Sequence, residues 1–137
     1  MDTTTNTPLE DQKKQLIFNR LSNHISKAER KIAELTKEMN ETYAYFFEWH
    51  ADEMLQTQLE LKDFKMVHTH IDYENRSLEQ IKTLLQGHIE YLTDDLLEGR
   101  IISHSTSQMT NMAHSIGLVA KQSLLRTYQS IYNSINS

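Results

Sequence analysis

Apolar residues recur along this chain at intervals of three and four, in three long stripes. The first is Phe18, Leu21, Ile25, Ala28, Ile32, Leu35 and Met39. The second is Phe64, Val67, Ile71, Leu78, Ile81, Leu85 and Leu92, with Glu74 and His88 falling in phase as its polar members. The third is Met109, Met112, Ile116, Ala120, Leu124, Tyr128, Ile131 and Ile135. A repeat of about 3.5 residues marks a helix that buries one face against other helices. The pattern therefore predicts an all-α fold: an elongated antiparallel three-helix bundle with coiled-coil-like heptad seams.

Start and stop signals set the expected boundaries. Thr7-Pro8-Leu9-Glu10 reads as a capping box with proline in the first helical turn. Residues 1–7 are expected to be a disordered polar tail, and 8–137 a single helical-bundle domain. After Met39 the register slips by one step onto Tyr43, Phe47, His50 and Met54, as a stutter does. A reversal is expected between residues 49 and 58, with Thr57-Gln58-Leu59-Glu60 capping the restart. The second helix then runs to a C-cap at Gly99, and Ser103 or Ser105 starts the third. Ser77-Leu78-Glu79-Gln80 could also cap a new helix, giving four helices if the chain breaks near 75–77. The heptad passes through 72–77 in phase, so continuity is the expectation.

Folding the last helix back at Gly99 makes facing residue numbers sum to roughly 201. His88 would then sit level with Met112 to His114, Glu74 with Arg126, and Gly87 with Gly117. Glu74, His88 and Arg126 are on this reading buried polar residues that specify register. A buried His88 would be neutral, so acid should loosen the bundle.

Composition narrows the class. Only three glycines and one proline occur, none between Pro8 and Gly87, and a sheet protein would need turns in that interval. No cysteine is present, so thiolate metal sites and thiol nucleophiles are excluded. No apolar run approaches the ~20 residues of a membrane span, and no signal sequence opens the chain, so a cytoplasmic location is expected. The net charge of −5 argues against nucleic acid. That charge is uneven: residues 99–137 hold Arg100, Lys121 and Arg126 and no acid.

Five aromatics fall within residues 43–49. Tyr43, Phe46, Phe47 and Trp49, with Met54, form a candidate surface for a protein partner or a second copy. His70 and Glu74 are spaced i,i+4 and are candidate metal ligands. That spacing is similar to one element of the hemerythrin-like di-iron bundles, whose HxxxH and HxxxxD pairs are missing here, as is the ExxH of the ferritin-like proteins. Ala113-His114-Ser115-Ile116-Gly117 loosely resembles the HxxKG pattern of histidine phosphotransfer domains. Here the glycine falls at +3 and the lysine is missing. No Gly-rich phosphate loop and no strand-to-helix serine elbow occurs. The expectation is a non-enzymatic helical interaction or scaffolding subunit, an adaptor without cofactor. The alternatives are a helical metal-binding or phosphotransfer module, and a small subunit of a secretion or phage-like assembly.

Overall fold

The computed structural model describes residues 8–71, 74–101 and 108–136. They form five helices: α1 (Pro8–Glu41), α2 (Tyr43–Trp49), α3 (Ala51–Ile71), α4 (Leu78–Ile101) and α5 (Gln108–Ile135). At 1.5 Å per residue the longest, α1, spans about 51 Å. The expected tail at 1–7, the Thr7 cap and the Ser103 or Ser105 start lie outside the described residues.

The α1–α3 hairpin is antiparallel. Phe18 meets His68, His24 stacks on Phe64, and Lys31 pairs with Glu53, so low numbers face high ones. Its reversal lies at 42–50, earlier than the expected 49–58. Two corners make it, at Thr42 (φ −137°, ψ 64°) and His50 (φ −131°, ψ −1°). Backbone hydrogen bonds from Phe46 N–H to Thr42, His50 to Phe46 and Met54 to His50 carry an i→i−4 ladder across both. The Thr42, Phe46, His50 and Met54 amides all stay bonded through these corners, which hold neither glycine nor proline. Thr57, expected to cap a restart, is buried inside α3 and donates its hydroxyl to the Glu53 carbonyl.

The expected single helix from 58 to 98 is broken between α3 and α4. Ser77 Oγ accepts from the Gln80 amide at 3.2 Å, and Gln80 Oε1 accepts from the Ser77 amide at 2.9 Å. This reciprocal capping box satisfies two amides at the start of α4. Ile71 and Leu78, seven residues apart, are both buried on either side of the break. The stripe therefore keeps its phase while the helix does not continue.

All four long helices contribute to one core cluster: Ile17 and Leu21 from α1, Phe64, Val67 and Ile71 from α3, Leu78, Ile81, Leu85 and Leu92 from α4, and Leu124, Tyr128, Ile131 and Ile135 from α5. The cluster gathers the N-terminal half of α1 with the C-terminal ends of α3 and α5. Toward the other end α1 and α3 continue as a two-helix arm, and α2, the short helix at its tip, packs only on them among the described elements.

The α4–α5 hairpin is antiparallel in a register different from the expected one. Lys121 pairs with Asp95, and His114 Nε2–H donates to the Gly99 carbonyl at 3.0 Å. Facing numbers in these two pairs sum to 213–216 rather than 201, because α4 runs on past Gly99 to Ile101 and α5 is not reached until Gln108. Gly99 is thus an interior helical residue, buried against α5. A β-carbon there would stand 2.7 Å from Leu118 Cδ2. Gly87 and Gly117 are not opposed, and space around each is open.

Candidate functional site

The plane where α3, α4 and α5 meet is built on one carboxylate oxygen. Asp63 Oδ1 accepts from His88 Nε2–H at 2.8 Å and from Tyr128 OH at 2.5 Å. The three side chains reach it from three helices. The His88 ring also lies edge-on to Tyr128 (5.0 Å) and parallel to Tyr91 (6.0 Å), while Phe64 closes on Tyr128 from below. Tyr128 is fully buried, and burial together with the Asp63 carboxylate holds its phenol well above the ordinary tyrosine range. Its proton stays on oxygen as a donor. Both donors converge on one acceptor, which ties the three helices together at this point.

The partners of His88 are thus Asp63 and Tyr128, not Met112 to His114. The other two residues expected to be buried polar seam members are not buried. Glu74 stands exposed in the turn before α4, and Arg126 is exposed on α5. The break at 74–77 takes Glu74 off the helix face on which its spacing from His70 would have paired them. His70 is itself exposed. Among the described residues no group of three or more histidines and carboxylates is placed to hold a metal ion. His114 is partly buried, with Nε2 engaged by the Gly99 carbonyl.

Beyond the Asp63 cluster the α4–α5 hairpin parts from α3 and leaves a groove of about 750 Å³. Leu59 and Met66 line one wall, Leu92 and Tyr91 a second, Leu118 and Leu124 a third. Sequence reasoning did not anticipate it. The groove depends on how two hairpins diverge, and no local spacing encodes that angle.

The aromatic tip divides into one buried ring and four exposed ones. Phe46 is 2% exposed and anchors α2 on the arm, whereas Tyr43, Tyr45, Phe47 and Trp49 are 51–68% exposed. Tyr43 and Phe47, one turn apart, are in ring contact at 4.7 Å, and Phe46 meets Phe47 edge-on at 5.3 Å. Met54 is half-buried on α3. Below the rings an ionic cluster ties the corner to α1. Glu53 accepts from Lys31 (2.7 Å) and from His50 (3.2 Å), and Glu38 lies 3.6 Å from the same imidazole. Hydrogen bonds from Lys31 and His50 hold the Glu53 carboxyl below the usual range.

No described helix is long and apolar enough to cross a membrane. Compared with known proteins, the chain matches no family model, no curated protein and no solved structure.

Proposed function

We propose that this chain is a non-enzymatic interaction or scaffolding subunit, which docks a protein partner or a second copy of itself through the α2 tip. The observation carrying this reading is the exposure of Tyr43, Tyr45, Phe47 and Trp49 at the end of a two-helix arm. Each ring left in water forgoes roughly 2 kcal/mol of burial free energy. Aromatic side chains are enriched at the centres of protein interfaces. The arm supplies reach, since α1 and α3 extend well past the four-helix core, and the Lys31–Glu53–His50 cluster sets the angle of the tip. The heptad seams of the long helices are buried in the shared core, so the tip rather than those seams is the surface offered for assembly.

The test is sedimentation of the wild type and of a Phe47→Glu, Trp49→Glu double variant over a concentration series. Both positions are exposed, so the helical circular dichroism signal should be unchanged. Self-association through the tip predicts a wild-type mass above the monomer that falls to the monomer in the variant. A wild type that stays monomeric throughout, or a variant that keeps the wild-type mass, overturns it.

A further inference from the structure

The molecule's acidic charge is absent from two stretches that pack side by side. Residues 12–28 of α1 and the whole of α5 contain none of the nineteen acids and six of the fourteen bases. Arg20 joins them. Its Nη1 donates to the Ser130 carbonyl (3.3 Å) and to Ser134 Oγ (3.2 Å), and its Nη2 donates to Ser130 Oγ (3.1 Å). Three of the five guanidinium N–H groups are thereby used, all on neutral acceptors, which leaves two. One turn before Ser130 on the same face of α5 stands Arg126, exposed and without a partner among the described residues. The two arginines line one open cleft of about 580 Å³ with Gln129, Ser130, Asn133 and Ser134, and no carboxylate lines it. Further along α1, His24 titrates below the ordinary histidine range. Burial is the main cause and the charges of Arg20 and Lys27 add to it, while Glu60 opposes. These bases stand together in a chain whose net charge is −5.

We infer that this cleft binds a phosphate-class oxyanion, with Arg126 and the free edge of Arg20 as its charged donors and Ser130, Asn133 and Gln129 as neutral ones. A carboxylate has two oxygens, which two guanidinium groups already use up. A tetrahedral dianion has oxygens enough for both arginines and for the hydroxyl and amide groups between them. Arg20 is already immobilised on α5, so only Arg126 must be ordered on binding, which favours a standing site over a transient encounter.

The experiment follows the side-chain Nε–Hε resonances of the arginines in the full chain. Inorganic phosphate is titrated in, against sodium chloride of matched ionic strength. The expected result is a saturable shift of Arg20 and Arg126 with phosphate only. Arg126→Gln should weaken it by about tenfold. Lys13→Gln removes an equal charge from α1 outside the cleft and should leave binding unchanged. No saturable shift, or equal weakening by both variants, overturns the site in favour of diffuse attraction. A second arm measures flotation with phosphatidylcholine vesicles with and without phosphatidic acid. Phosphate binding without flotation identifies a soluble phosphate as the ligand. Binding together with phosphatidic-acid-dependent flotation, lost in Arg126→Gln, identifies a phosphomonoester headgroup.

Discussion

Asp63 is the residue on which most of the packing at the junction depends. Tyr128→Phe removes one charge-assisted donor and leaves the carboxylate still bonded to His88, so a loss of about 1–2 kcal/mol is expected. Asp63→Ala leaves a fully buried phenol and a nearly buried imidazole without their acceptor, and about 3 kcal/mol is expected. Urea unfolding of the two variants checks both the order and the size. Two shifted groups among the described residues make stability depend on pH in the acid-to-neutral range. The folded state holds His24 below its ordinary value, so the unfolded chain binds more protons as pH falls through about 6.5, and stability drops there. Glu53 is also depressed; its contribution is present above the ordinary carboxyl range and disappears as pH falls below it. His24→Phe should flatten the change in urea midpoint between about pH 7.5 and 5.5, the window around the unperturbed histidine value. An unchanged slope would refute that assignment. The sequence marked His88 as a polar member of an apolar stripe, and its side chain is indeed nearly buried at a helix junction. It gave no hint of Asp63, which sits beside Phe64 on α3 and reads as one more surface acid. Only the approach of α4 and α5 identifies it.

At the level of elements, the long periodic segments were legible and their interruptions were not. The α1 stripe runs as expected at Leu21, Ala28 and Leu35, which are buried, but it opens on Ile17 rather than Phe18, which is only partly buried. The α3–α4 break was hidden because Ile71 and Leu78 stay one heptad apart across it. The α2 corners were hidden because no glycine or proline marks them, the backbone turning at Thr42 and His50 instead. Since the capping box is what starts α4, Ser77→Ala should cost about 1 kcal/mol, read as a shift in thermal midpoint. Ser77→Asn, which keeps a capping oxygen, should recover most of it. Gly99 was readable as special, but for a different reason: its lack of a side chain serves close approach to Leu118 rather than a helix end.

For the whole molecule, burial is concentrated at one end. Thirteen residues form the shared cluster, whereas the arm beyond Ala28 is a two-helix pairing with Leu35, Phe46 and Thr57 as its buried residues. Two helices without further cover open at lower free energy than a four-helix core. Hydrogen exchange should therefore show amides of 43–57 exchanging well before those of 64–71 and 124–135. Equal protection along α3 would contradict this picture. The stripes look equally strong along their length, but a last helix shorter than the hairpin before it already leaves the distal, aromatic end uncovered. The asymmetry follows from where the partner helices lie, a property of register and of the 213–216 pairing in the α4–α5 hairpin.

Three helices delivering side chains to one oxygen also limit where the chain can change in length. Adding or deleting a residue inside an α-helix rotates everything beyond it by about 100° and shifts it by 1.5 Å. One such change between the α3 start and Asp63 would turn Asp63 away from His88 and Tyr128 together, or else turn the α2 corner out of line with α1. Extra residues at the Thr42 or His50 corners or in the 74–77 turn leave that three-way phase intact. A peptide tag or reporter spliced into this protein should be accepted at those joints and rejected one helical turn inside them.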